Sequence, residues 1–155
     1  MQLLTFSVAG QAYAIPSRKV IEVLPLVAAR PIPHTPDYVS GVFTYRGQLV
    51  PLVDLGRRFG TDPLAARLST RVIVVDVEAG AAATRRIGMT AENVISICSA
   101  EEAEASLAPL DPRDAPFLGP ILRIGGRTIQ VLDVEQVLPV EAAGGLHPGK
   151  PEPQP

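Results

Sequence analysis

An all-β domain with a few short helices is the fold this sequence predicts, and three observations predict it. Runs of strand length rich in Val, Ile and Leu recur along the chain, 16 prolines and 13 glycines punctuate them, and the second half repeats the pattern of the first. At 155 residues and 46% apolar content the chain has the size of one domain and enough apolar surface for a real core. Its 14 Lys and Arg against 16 Asp and Glu give a net charge of −2, and their scattered placement argues against nucleic acid or anionic lipid as a partner. The longest apolar runs, such as Val50 to Val53 and Val72 to Val75, fall far short of the roughly 20 residues that span a bilayer, so no direct membrane insertion is expected. Met1 is followed by Gln2-Leu3-Leu4-Thr5-Phe6 without a basic stretch or a long apolar one, so export is not signalled and a cytoplasmic location is expected.

The elements follow in order. Leu4 to Val8 alternates apolar and polar residues, Ala9-Gly10-Gln11 turns the chain, and Tyr13-Ala14-Ile15 returns as the partner of a first hairpin. Ser17 is placed to cap a short helix with Val20, Val23 and Leu24 on one face, ended by Pro25. Arg30-Pro31-Ile32-Pro33-His34-Thr35-Pro36 holds too many prolines for a helix or a central strand and reads as a stiff extended connector. Gly41 to Tyr45 and Gln48 to Val53 form a second hairpin around Arg46-Gly47, where glycine supplies positive φ. Pro51 predicts an edge strand or a local bulge there. Asp54 then caps a single turn over Leu55 to Gly60.

Val72 to Val77 reads as a strand covered on both faces, because its apolar run barely alternates. A loop over Glu78 to Thr84 leads back to Arg86 to Met89, and Val94 to Ile97 forms another strand beyond a polar segment. Ala100 to Ala108 is expected to hold a helical turn, and Pro109 to Pro116 a loop. Pro120 to Ile124, Gly125-Gly126 and Arg127 to Leu132 make the clearest hairpin, and Asp133 opens a last short helix with Val134, Val137 and Leu138. From Pro139 to Pro155 there is almost nothing to bury, which predicts a disordered tail.

Two segments of the halves overlay without gaps. Gly47 to Leu55 matches Gly126 to Val134, each with a turn glycine, an apolar strand and a capping aspartate. Tyr13-Ala14-Ile15 followed by Val20, Ile21 and Val23 matches Ile87-Gly88-Met89 followed by Val94, Ile95 and Ile97. Any two hairpins share such features, so the echo fits duplication and coincidence alike, but it suggests two small barrels packed together. As lobes these would span about 1–65 and 66–138.

Catalytic chemistry finds no footing. Asp54 and Asp133 occupy capping positions, His34 and His147 are too few for a metal site or a relay, and Cys98 lies in an apolar alternation without a neighbouring base. Gly56 to Gly60 lacks the lysine and spacing of a phosphate loop. No enzyme activity, metal or cofactor is expected. Arg46, at a hairpin tip, suits a bidentate contact with a partner's carboxylate, and equally suits a solvated turn. Val20 and Val72 read as core.

The series Phe6-Ser7-Val8, Tyr13 to Pro16, Val20 to Val23, Pro31-Ile32-Pro33, Pro36 to Val42 and Tyr45 to Leu55 resembles the chemotaxis coupling protein family, CheW, over residues 2 to about 138. Its signature is a Pro-x-hydrophobic segment leading to Gly-Val, then Arg-Gly, then a hydrophobic-Pro strand ending in Asp-Leu. The resemblance implies two SH3-like five-stranded β-barrels around a shared core. It also implies a non-catalytic adaptor that couples the cytoplasmic tips of methyl-accepting chemoreceptors to the regulatory domain of a CheA-type histidine kinase. By the same resemblance Arg46 takes the position of an arginine implicated in receptor contact, with Val20, Glu22, Gly41 and Val72 at positions tied to receptor or kinase binding. Ile21 to Val27 and Leu68 to Arg71 are more similar to couplers of accessory clusters, such as the surface-sensing Wsp type, which implies a diguanylate cyclase response regulator as output. The rival readings are an SH3- or OB-like module for nucleic acid, which needs a basic face with interleaved aromatics, and a small β-barrel enzyme, which needs polar groups converging in a pocket.

Overall fold

The computed structural model describes residues 1–78, 84–109 and 115–139, without the side chain of Ile95. The expected tail lies outside the described residues from position 140 on, as do the centres of two expected loops, 79–83 and 110–114. Among the described residues ten strands carry the fold. β1 (Gln2–Val8) and β2 (Gln11–Pro16) form the first hairpin, with Ala9 and Gly10 at φ 50° and 78°. β3 (Val20–Pro25) follows one turn of 3-10 helix, and β4 (Val39–Tyr45) and β5 (Gln48–Asp54) form the second hairpin. A four-residue helix, α1 (Leu55–Arg58), closes the half, with the Asp54 carboxylate accepting from the Arg57 amide at 3.2 Å. β6 (Thr70–Glu78), β7 (Thr84–Ser99), β8 (Ala105–Leu107), β9 (Leu118–Ile124) and β10 (Arg127–Leu132) complete the chain. A final 3-10 turn is capped by Asp133, whose carboxylate accepts from the Glu135 amide.

The pairing builds two SH3-like barrels. The first has β3, β6, the front of β7, β5 and β4; the second has the back of β7, β1, β2, β10 and β9, with short β8 added. Among the described residues the ladders pair β3 only with β6 and β4 only with β5, and Val42 of β4 adds one bridge to Arg30, so strand pairing does not close the first barrel. Strand pairing runs across the expected lobe boundary near residue 65. The repeated halves are not the lobes, because β1 and β2 pair with β7 and β10, and β3 and β5 pair with β6 and β7. Each barrel takes its first hairpin from one half and the remaining strands from the other.

The echo itself holds to the level of single hydrogen bonds. Leu52 faces Gly88 across one parallel ladder, and their counterparts Val131 and Ala14 face each other across the other. The Asp54 amide donates to the Tyr38 carbonyl at 2.8 Å, and the Asp133 amide to the Phe117 carbonyl at 2.9 Å.

Two local expectations change for physical reasons. Val20 to Pro25 is a strand, not the face of a helix: Val20, Ile21 and Val23 are β-branched, and β6 would otherwise carry an unpaired ladder edge beside a buried core. The polar segment after Met89 does not end a strand. Thr90 and Ala91 are buried within β7, Glu92 pairs with both Thr70 and Ser7, and only Asn93, at φ 51°, kinks the strand as it passes between barrels. Ala105 to Leu107 is a short strand beyond a 3-10 turn at Ala100–Glu102. Pro51 lies next to the expected bulge, a register shift opposite Val39 and Gly41, and not on an edge. The ladder with β7 starts one residue later, at Leu52, so the missing amide costs it no bond.

The core has three parts. Phe43, Tyr45, Val50, Leu52, Val72 and Val74 fill the first barrel; Leu3, Ala14, Leu122, Ile124, Ile129 and Val131 fill the second. Between them lies the largest cluster, including Phe6, Ile15, Val53, Ile73, Val75, Ile87, Met89, Leu132 and Leu138. Alternation along β6 sends Val72 and Val74 into one and Ile73, Val75 and Val77 into the other, which is why its sequence is apolar throughout. Cations seal the shared core at the chain's end. Arg58 donates to the carbonyls of Val137 at 2.7 Å and Gln136 at 3.0 Å, buried Arg85 donates to that of Leu138, and Lys19 pairs with Glu135.

Gly41 is a structural necessity. Its φ is 145°, and a Cβ there would sit 2.1 Å from the Arg30 carbonyl oxygen, which itself accepts the Val42 amide at 2.9 Å. Gly41→Ala is expected to destabilise the protein by about 2 kcal/mol or more, from strained backbone plus a displaced connector, read as a lower midpoint in urea unfolding. A second expectation follows from the shared strands. Fragments 1–65 and 66–139 are each expected to lack dispersed amide resonances alone and to regain the native spectrum on mixing; a fragment that folds by itself would contradict it.

Candidate interaction surface

The β4–β5 hairpin carries Arg46 where a turn residue of positive φ is required, at 49°, followed by Gly47 at 77°. The hairpin is fixed from below, since Phe43, Tyr45, Val50 and Leu52 pack into the first barrel. Arg46 is fixed from the side. One oxygen of Glu22, on β3, accepts the Tyr45 hydroxyl at 2.6 Å and the Arg46 Nη2 at 3.1 Å, while the Arg46 guanidinium lies 5.0 Å from the centre of the Tyr45 ring. The hydrogen bond donated to Glu22 is the main reason the Tyr45 phenol is pushed above its ordinary value, with burial second. Arg46 keeps 61% of its side chain exposed and Glu22 41%. An ion pair this open contributes at most about 1 kcal/mol to stability. Its effect is to limit where the guanidinium points, which a receiving carboxylate would otherwise have to order.

Sequence reasoning missed three members of this cluster. Tyr45 presents its hydroxyl to Glu22 from a buried position. Arg86, on β7, has its guanidinium 5.8 Å from the same ring, and Asp76, opposite it on β6, accepts from Arg86 Nε at 3.2 Å. The available signal was Asp76 itself, the one charged residue interrupting Val72 to Val77. A carboxylate inside such a run needs a cation beside it or water above it.

The other expected contact residues divide. Val20 is half-buried where β3 begins and packs on the shared core. Gly41 and Val72 are buried, Val72 completely, so neither presents a side chain to a partner. Gly41 lets the Arg30 segment close on β4, and Val72 packs in the barrel that carries the hairpin.

The wider surface offers little else that is reactive. Among the described residues no group of three or more His, Cys, Asp and Glu is placed to hold a metal ion, and no helix is long and apolar enough to cross a membrane. Cys98 is half-buried against the second barrel's core, and burial pushes its thiol up, away from the thiolate.

Residues 2–142 match the model of the CheW-like domain. A chemotaxis protein CheW of Rhizobium meliloti is 28% identical over 90% of this chain and 88% of its own length, and protein FrzA of Myxococcus xanthus is 27% identical over 86% and 82%. A chemotaxis protein CheW of Helicobacter pylori is 35% identical over a shorter stretch, 48% of this chain and 46% of its own. The crystal structure of the scaffolding protein TtCheW from Thermoanaerobacter tengcongensis superposes with a TM-score of 0.74 over 91% of this chain and 89% of that one, at 23% identity, a likeness of fold. An all-β pair of barrels, a presented hairpin and a family match across nearly the whole chain agree: the chain belongs to the CheW-like domain family and is a non-catalytic coupling adaptor of chemosensory arrays.

Proposed function

We propose that the chain couples the cytoplasmic tips of methyl-accepting chemoreceptors to the regulatory domain of a CheA-type histidine kinase, in the cytoplasm, and that Arg46 is the centre of the receptor contact. The observation that carries this reading is the pre-set Arg46, exposed at a rigid hairpin tip and aimed by Glu22 and Tyr45. A guanidinium held in one direction suits an acidic side chain on a receptor helix, whose flanking apolar residues would meet β3 and the half-buried Val20. Gly41 and Val72 belong to this reading as supports that keep the hairpin and its barrel in shape. Affinity of a single contact is expected to be modest, with repetition across an array supplying the rest.

Arg46→Glu reverses the charge of a residue that carries none of the core and also sets it against Glu22. The thermal midpoint is expected to stay within a few degrees of the parent, while the affinity for a chemoreceptor cytoplasmic fragment falls at least about tenfold, or roughly 1.4 kcal/mol. Titration monitored by fluorescence anisotropy reads both chains on the same scale; an unchanged dissociation constant removes Arg46 from the contact.

A further inference from the structure

Resting on that docking reading, we propose that Arg86 is a second cationic anchor of the same face, and that the segment docking there carries two carboxylates, one for each guanidinium. Arg46 and Arg86 share one platform. Their guanidinium carbons lie 5.0 and 5.8 Å from the centre of the Tyr45 ring, so they are no more than about twice that distance apart. Side chains one or two turns apart on a helix span about 5 to 11 Å, which matches.

Each guanidinium is tethered by a single nitrogen. Arg46 uses Nη2 toward Glu22 and Arg86 uses Nε toward Asp76, and neither makes another side-chain hydrogen bond among the described residues. The rest of each fork remains free to grip a carboxylate in the bidentate way. The tethering carboxylates are themselves open, 41% exposed for Glu22 and 42% for Asp76, so the pairs are weak enough to give way. Arg86 is 29% exposed and sits deeper than Arg46. A partner carboxylate reaching it is more desolvated and more demanding of geometry, which makes Arg86 the selective member of the pair.

Asp76 and Arg86 also face each other directly across the β6–β7 ladder, and a purely structural cross-strand pair is the competing account. Two variants separate them, because both break that pair and only one removes the cation. The full chain and its Arg86→Gln, Asp76→Asn and Arg46→Glu variants are titrated with a chemoreceptor cytoplasmic fragment at low and at high salt. An anchor predicts that Arg86→Gln weakens binding at least about fivefold and flattens its salt dependence, while Asp76→Asn leaves binding as tight or tighter. Equal effects of Arg86→Gln and Asp76→Asn on binding, or no effect of Arg86→Gln, overturn the proposal. Loss with Arg46→Glu but not with Arg86→Gln sinks the second anchor alone; failure of the parent chain to bind sinks the docking reading and the anchor with it.

Discussion

The apolar layer between the two barrels is the constraint on which the rest depends. Its members come from both halves of the chain, Phe6, Val8 and Ile15 from the start, Ile73, Val75, Ile87 and Met89 from the middle, and Leu132, Val134, Val137 and Leu138 from further on. Burying a side chain of this size contributes about 1.5 to 3 kcal/mol, so no single polar contact in the molecule competes with the layer as a whole. It also explains the connectivity. A barrel built from one half alone would leave its inner face wet, whereas exchanging hairpins between halves ties both barrels to the layer and makes unfolding of one expose the other. β7 expresses this most directly, since its 16 residues serve β6 and β5 at one end and β1 at the other.

The likeness between the halves ends where chemistry begins. Tyr38 and Phe117 occupy matching positions, and Arg58 lies against both, 4.6 and 4.1 Å from their ring centres, with Phe59 stacked on Phe117 at 5.3 Å. One arginine serves both members of a symmetric pair there, and burial lowers its pKa from the ordinary value. The hairpin tips differ more. Gly125 and Gly126 make the second tip with no side chain, while the first carries Arg46 and its tether to Glu22. Charge at the second tip lies beside the turn, where Arg123 pairs with Glu104, so only the first tip places a guanidinium in the turn itself.

Much of this was legible in the sequence, and the failures have a common cause. The hairpins, both capping aspartates, the doubly covered strand from Val72 and the echo between halves are local patterns, set by turn chemistry and alternation. The strand character of Val20 to Pro25 and the continuity of β7 through Thr90 to Asn93 depend on what lies beside them, which local pattern does not carry. The same holds for the lobes: alignment of Gly47–Leu55 with Gly126–Val134 shows what repeats but not which repeat pairs with which. At the site, the resemblance led to Arg46 and Glu22, which the fold brings together, and also to Gly41 and Val72, which the fold buries. Tyr45, Asp76 and Arg86 went unread because β4 and the β6–β7 pair, which bring them together, lie far apart in sequence.

On the proposed reading a receptor meets this adaptor at the Arg46 tip of the first barrel. Amide chemical shifts of the isotope-labelled chain, followed during addition of a chemoreceptor cytoplasmic fragment, test it without altering a residue. Perturbations concentrated at Glu22, Tyr45, Arg46 and Gly47, with Gly125 and Gly126 unmoved, are the predicted result. Perturbations centred on the second barrel's hairpin with Arg46 unmoved would contradict it.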